Sequence, residues 1–449
     1  MTTTRPDTTR PDTTHSDTTH SDTTHSGATR PPADRPATSR PLLRDPDFRL
    51  LLGATGVSRL GSAVGQLALP LVAVLALDSS AGQVGLLAML GTLAFVLIGL
   101  PAGAWVDRLR KRPVMVAADL VRVVLLASVP AAWAFGALTI QQLCLVALLT
   151  GAATVFFEVA ALSHLPDLVG RDQLARANAY LVTVDAATQV GGRGAGGFLV
   201  ALVSAPLALA VDAVSYLWSA VCLLRLRRPE PQPQPAPVGA DRRRLAREIR
   251  EGLRFVFGHP SLRAVALAGG CTNLSIQLCQ TVLPVLFVRE LRLPDAAIGL
   301  FFAAGGIGVF LGSLSARHLA RRLGAGRVLW SMGLAVAPLG VAVALVDRGP
   351  ALWLAAGGWL ATTFKVGIDN VLKVSYRQSV TPDRLLGRMN ATMRFVLTGS
   401  LAAGAALAGL LGELFSTRAA LWAGAVGLAL VWVPVYFSPL RTLRELPGL

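Results

Sequence analysis

Charge is what this chain has least of. Asp, Glu, Lys and Arg together make up 15% of its 449 residues, against roughly 25% in soluble domains. That leaves too little polar surface to cover a water-soluble globule of this length. Lysine is scarcer still: of 42 basic residues only Lys111, Lys365 and Lys373 are lysines, and the rest are arginines. No Gly-Lys pair occurs, so the chain has no phosphate-binding loop of the Gly-x-x-x-x-Gly-Lys type, and a primary ATP-driven pump is excluded within it. The histidines outside the first 45 residues, His164, His259 and His318, sit at three separate loops and form no plausible enzyme site. The four cysteines, Cys144, Cys222, Cys271 and Cys279, all fall inside apolar stretches, which suits small core residues rather than a disulfide framework or a zinc site. No metal and no cofactor is expected. The formal net charge of +16 is spread between apolar stretches instead of forming one patch interleaved with aromatics, which argues against a nucleic-acid partner.

Apolar residues are abundant, at 53%, with 44 glycines besides. A mean hydropathy of +0.55 over this length describes a polytopic membrane protein in contact with the lipid bilayer. Residues 1–45 repeat Thr-Thr-His-Ser-Asp and Thr-Thr-Arg-Pro-Asp units without an apolar run, so a disordered tail is expected there. The five-residue spacing of His15, His20 and His25 matches a solvated tail better than a compact ligand set. Breaks at Gly, Pro and charge clusters place spans near 48–77, 83–106, 114–135, 142–163, 178–203 and 206–224. A second set lies near 264–288, 296–316, 328–346, 351–374, 393–414 and 418–437. The expectation is an all-α membrane protein with a six-helix bundle over 46–224, a cytoplasmic linker over 225–263, a second bundle over 264–437 and a cytoplasmic tail over 438–449. In the linker, Leu245, Ile249, Leu253 and Val256 form one face of an amphipathic helix expected along the inner membrane surface. With both termini inside, twenty-six basic residues between Arg108 and Arg444 fall on the cytoplasmic side and four, Arg289, Arg292, Arg348 and Arg418, outside.

Between spans two and three stands Gly103-Ala-Trp-Val-Asp107-Arg108-Leu-Arg110-Lys111-Arg112. Gly103 allows a close helix approach, and Asp107 suits a helix cap or a partner for the basic cluster. This spacing resembles the loop signature of the major facilitator superfamily. Asp119-Leu-Val-Arg122 opens span three, Glu251-Gly-Leu-Arg-Phe-Val-Phe-Gly-His-Pro260 leads into span seven, and Tyr376 to Arg394 joins spans ten and eleven. Together these stretches are similar to the exporter branch that includes the enterobactin exporter and macrolide and drug efflux proteins, over about residues 46–449. The resemblance implies two six-helix bundles, alternating access and outward export driven by the proton gradient. Two departures stand out. The second copy of the signature, Arg317 to Gly324, has Arg where Gly and Asp are expected. Span five reads Gly192-Arg193-Gly-Ala-Gly196-Gly197, with Arg193 in place of the Pro of the exporters' glycine element.

Spans one, four, seven and ten carry polar residues three and four apart, which puts each set on one helix face. They are Thr55, Arg59, Ser62 and Gln66; Thr150, Thr154 and Glu158; Asn273, Gln277 and Gln280; and Thr362, Lys365, Asp369 and Lys373. A charge facing lipid costs ~3 kcal/mol even on lenient scales, so these faces are expected to line the cavity between the halves. Arg59 and Lys365 lie deepest and are the leading candidates for contact with substrate. Asp369 is expected to pair with Lys365 or Lys373, which leaves Arg59 only Glu158 and predicts a net positive cavity suited to an anionic substrate. Asp119 and Arg122 read as a local ion pair, Lys373 as a residue able to snorkel, and Asp185 and Asp212 as structural or functional alike. The expected function is a proton-coupled exporter of a small amphipathic molecule (a drug, antibiotic or siderophore-like metabolite) acting as a monomer in a bacterial cytoplasmic membrane. An importer of the same fold and a non-transporting receptor or scaffold are the alternatives.

Overall fold

The computed structural model describes residues 42–106, 108–170, 172–228, 230 and 242–443. Asp107, the histidines of the tail, residues 231–241 and Arg444 lie outside them. Among the described residues every regular element is a helix. The first half comprises α1 (Pro46–Leu77), α2 (Ala81–Val106), α3 (Lys111–Ala134), α4 (Ile140–Val169), α5 (Leu174–Val203) and α6 (Ala205–Leu224). The amphipathic α7 (Arg242–Gly258) leads to a second set: α8 (Pro260–Val285), α9 (Asp295–Leu323), α10 (Ala325–Ala342), α11 (Pro350–Ser379), α12 (Asp383–Leu414) and α13 (Thr417–Leu430). Eleven of these long helices are apolar enough to cross a membrane. The twelfth, α5, is 30 residues long but carries Asp185, Gln189 and Arg193 along its middle.

Local chemistry sets where the helices begin and end. Pro46 suits the first turn of α1, where its missing N–H has no partner to lose, and the Asp45 carboxylate caps that turn by accepting from the Asp47 amide at 2.9 Å. At the other end Asp78 turns into the left-handed region, φ 48°, and stops the helix. Ahead of α1, a short 3-10 turn over Leu42–Arg44 buries Leu42 against the first half. Several helices outrun the apolar stretches that announce them. α4 continues to Val169, α8 begins at Pro260 and α12 at Asp383. Hydropathy marks where a helix crosses lipid, not where its hydrogen bonding ends.

The helix ends and loops at the α2–α3, α4–α5, α9–α10 and α11–α12 junctions, with the segment around α7, carry most of the arginines, and we call that side the basic end. At the opposite, far end, the two halves share a single core. Val64 to Val74 of α1, Val84 and Leu87 of α2, Leu278 to Phe287 around the end of α8, Phe301 and Trp359 all belong to one buried cluster. At the basic end this core divides. Phe48, Met115, Leu165 and Leu223 form one cluster within the first half, and Val256, Leu262, Tyr376 and Met389 form another within the second. The molecule is therefore closed at one end and parted at the other.

Glycine makes the closed end possible. A side chain at Gly85 of α2 would run into the backbone of Gly409 on α12, and one at Gly412 would stand 2.7 Å from the Ala81 Cβ. Lipid tails are as apolar as leucine, so helices in a bilayer hold together by close van der Waals approach, which small residues permit. Polar ties reinforce the contact: Gly82 N–H donates to Glu413 at 3.0 Å, and Arg289 to Asp78 at 2.8 Å. Gly103 of the loop signature, by contrast, has open space beside it. The close approach expected there is absent because the halves stand apart at the basic end.

The amphipathic α7 also departs from expectation. It docks on the second half instead of resting only on the membrane surface. Gly252 abuts the Arg388 carbonyl and Thr392 of α12, Glu251 pairs with Arg388 at 2.7 Å, and Val256 is fully buried, while Leu253 stays exposed. The docked face is one residue offset from the apolar face, because a glycine lets α12 approach where a leucine would hold it off.

The far-end contact is testable by cross-linking. In a background without the four native cysteines, Ala81→Cys with Gly412→Cys is expected to form a disulfide under mild oxidation, since the two Cβ atoms need only a small separation to reach disulfide geometry. Failure to cross-link in membranes would mean that the halves do not meet at this end.

Candidate functional site

Charges in the interior collect in three places. The first spans both halves. Arg59 of α1, Glu158 of α4, Asp185 of α5 and Arg394 of α12 lie eleven to thirteen residues in from the basic ends of their helices, ~16–20 Å along the axis. Equal depth brings them together. The Arg59 guanidinium is 3.3 Å from Asp185 and 4.0 Å from Glu158, and Arg394 donates to the other oxygen of Glu158. The Arg394 guanidinium also lies over the Phe95 ring of α2, 4.0 Å from its centre. These side chains are 26–46% exposed, so they line the opening between the halves. Glu158 is the hinge of the set, because it holds one arginine from each half.

Arg59 is thus not short of an acid. Among the described residues two arginines meet two carboxylates here, so the set lacks the positive excess expected of the cavity. Arg394, which looks like a loop charge in the sequence, lies eleven residues inside α12. Gln66 is exposed, Asn273 donates to the Leu397 carbonyl of α12 at 3.0 Å, and Gln277 to Thr281 of its own helix at 3.3 Å.

The second cluster lies wholly within the second half. Asp369 accepts from Lys365 and, at 2.8 Å, from Lys373, all three buried one turn apart along α11. A cavity of about 20 Å³ adjoins Lys365, lined by Thr272, Gly333, Gly340, Thr362 and Leu428. That is room for about one water. Lys365 and Asp369 therefore face α8, α10 and α13 rather than the opening between the halves. The stripe on α11 was legible as a face; which neighbour covers that face was not. Lys373 is paired and buried, and does not snorkel.

The third cluster is buried in the first half. Arg122 donates to Asp119 at 2.6 Å, and its guanidinium lies between the rings of Phe157 and Tyr216, 4.6 and 4.2 Å from their centres. Tyr216 shares a 2.7 Å hydrogen bond with Ser62 of α1. Asp212 lies one turn before Tyr216 on α6.

At the basic end, Arg108 and Arg110 are exposed, and Glu230 takes the cap of α3. Its carboxylate accepts from the Lys111 amide and, at 3.3 Å, from the Arg112 amide, while the Arg112 side chain donates to the Leu224 carbonyl. A carboxylate at a helix N-terminus answers both unpaired N–H groups and the helix dipole. Asp107, the residue expected to cap, lies outside the described residues. Gly192 packs against Ala63 of α1; the side chain of Arg193, and Gly196 and Gly197, lie outside the description.

A family model for transmembrane secretion effectors matches residues 37–447. The chain is 28% identical over 415 residues to the multidrug efflux pump Tap of Mycolicibacterium fortuitum, covering 88% of this chain and 96% of that protein. It is 28% identical over 198 residues to the enterobactin exporter EntS of Salmonella choleraesuis, covering 43% of this chain and 46% of that one. A bacterial homologue of the iron transporter ferroportin, solved in an inward-facing state, has the same fold, with a TM-score of 0.68 at 18% identity over 89% of this chain and 100% of that one.

The shared carboxylate predicts non-additivity. Glu158→Gln and Arg394→Gln are each expected to lower turnover about tenfold, and the double variant to be no worse than either, as for two groups with a coupling of ~1.4 kcal/mol. Multiplying losses, about a hundredfold for the double variant, would show that the two side chains act apart.

Proposed function

This chain belongs to the transmembrane secretion effector family of the major facilitator superfamily, a family of multi-pass membrane transporters and not of enzymes, and we propose that it exports a small amphipathic molecule by alternating access coupled to inward proton movement. One observation carries the proposal: the halves share a core at the far end and have separate cores at the basic end, with a paired charge set at mid-depth between them. A packed interface at one end and an opening at the other is half of a two-state cycle.

The excess of arginine at the basic end supports a cytoplasmic placement of that end and of both termini. On that orientation the cavity is open to the cytoplasm, where the substrate of an exporter enters. Rocking the halves would separate Gly85 from Gly409 and bring together the basic-end loops, with Arg108, Arg110, Lys111 and Arg112 among them. Between these states the substrate meets Arg59, Glu158, Asp185 and Arg394. A polar group on it exchanges partners with this set, while its apolar part lies against Phe95 and neighbouring side chains. Protonation of Glu158 loosens Arg394 and so weakens the tie across the cavity, which gives a proton a direct hold on the movement of the halves. The similarity to a multidrug efflux pump and to an enterobactin exporter supports a drug, antibiotic or siderophore-like metabolite as cargo. The protein is taken to work as a monomer, since each half supplies part of the charge set.

In everted membrane vesicles, an amphipathic fluorescent dye is expected to accumulate in the lumen and to leak out when a protonophore is added. Accumulation that survives the protonophore would sink proton coupling, and depletion of the dye would reverse the direction. Oxidation of the Ala81→Cys/Gly412→Cys variant is expected to stop accumulation, and a reductant to restore it. Undiminished transport by the cross-linked protein would exclude alternating access.

A further inference from the structure

Asp212 on α6 is a buried carboxyl that no cation pairs among the described residues. It is 3% exposed. Its one hydrogen-bonding neighbour is the Ser215 hydroxyl, 3.2 Å from Oδ1, and that hydroxyl also donates to the Asp212 backbone carbonyl at 2.7 Å. No basic side chain among the described residues stands within ion-pair distance of it. Leu67, Leu209, Ala213 and Tyr216 of the same buried core surround this stretch. Burying an ionised carboxylate without a cation costs so much that the group keeps its proton instead.

The surroundings are arranged for that proton to leave. α1 lays two glycines one turn apart directly against the carboxyl: a Cβ at Gly61 would meet Asp212 Oδ1 at 2.7 Å, and one at Gly65 would overlap Oδ2. The backbone of α1 therefore covers the carboxyl on this side. On α1 itself, Ser62 binds Tyr216, and Arg59, one turn earlier, faces the opening and pairs with Asp185 of α5. From α3 the charged groups at this level are Asp119 and Arg122. Arg122 is committed to Asp119 Oδ1, while Asp119 Oδ2 has no hydrogen-bond partner. Of these two carboxyls, Asp119 alone is paired with Arg122 in the state described here.

We propose that Asp212 is a proton-binding site of the first half, loaded in the state described here and emptied when α1 shifts and opens it to water. The O–H bond of the carboxylic acid breaks, the proton passes to water in the cavity, and the carboxylate left behind is compensated by Arg122, which turns from Asp119 and shares its charge between the two. Reprotonation from the other side of the membrane reverses the step. The proposal rests on the proton-coupled reading above and names the group that carries the proton; its test needs no transport.

Infrared pH-difference spectra of the purified full-length protein, with and without 13C-labelled aspartate, read the proton directly. At neutral pH the wild type is expected to show a buried protonated-carboxyl band that shifts on labelling, fades as pH rises, and is lost in Asp212→Asn. In the oxidised Ala81→Cys/Gly412→Cys protein, in which α2 is tied to α12 and the halves are held together at the far end, the band is expected to persist to higher pH than after reduction. Stability gives a second readout. Asn is isosteric with a protonated Asp, so Asp212→Asn is expected to melt within about 2 °C of wild type, whereas Asp119→Asn, which strips Arg122 of its counter-ion, lowers Tm by roughly 6 °C or more. Absence of the band, its retention in Asp212→Asn, or equal destabilisation by both variants would overturn the proposal. A band that neither pH nor the cross-link moves would reduce Asp212 to a fixed structural acid and overturn it as well. Loss of proton-driven transport with the spectra as expected would instead count against the exporter reading alone.

Discussion

A charge inside a bilayer has to be paired, neutralised or given water, and the deep ionisable groups of this protein meet that constraint in different ways. Lys365 and Lys373 share the Asp369 carboxylate inside the second half, beside a cavity of about 20 Å³. Arg122 pairs with Asp119 and lies between two aromatic rings that favour a cation. Asp212 has a hydroxyl and no cation. Among the described deep charges, only the set of Arg59, Glu158, Asp185 and Arg394 is both paired and exposed. That difference decides which charges act as internal ties and which are open to a ligand entering between the halves.

The imbalance of the two buried clusters is reciprocal. Among the described residues the first cluster comprises Asp119, Asp212 and Arg122, and the second Lys365, Lys373 and Asp369. Each cluster lies within one bundle. The tie between Glu158 and Arg394 is different, because it crosses between bundles. A pair of this exposure contributes little to stability. On the proposed two-state cycle its weight lies in the equilibrium between the states, where a small energy suffices to shift populations.

Packing divides in the same manner. At the far end, glycines on α2 and α12 bring the backbones together and Gly82 hydrogen-bonds across to Glu413. At the basic end the ties stay within one half: Asp47 accepts from the Arg227 and Arg228 amides, Glu230 caps α3, and Glu251 holds Arg388. The central segment is thereby fastened at its start to the first bundle and, through α7, to the second, which leaves residues 231–241 to bridge them.

Read alone, the sequence determined the twelve helices, because apolar length is dictated by membrane thickness and needs no partner to be recognised. It also determined the family, through the loop signature and the stretches around Asp119, Glu251 and Arg388, and the existence of the polar stripes, because a helix repeats every 3.6 residues whatever surrounds it. The Asp119–Arg122 and Lys365–Asp369 pairs were legible for the same reason: their partners are three and four residues apart. What covers each stripe was decided by tertiary structure. Arg59 and Asp185 are 126 residues apart in the chain, and Glu158 and Arg394 are 236 apart. They meet because four helices from two bundles bring equal depths to one place. Arg394 carried a faint signal, an arginine too far past Arg388 to lie in the loop, but its partner had none. Lys365 shows the converse. Its depth could be counted, yet whether α11 turns it toward the cavity or toward α10 and α13 depends on the rotation of one helix against its neighbours, and that is set by the packing of residues far apart in sequence.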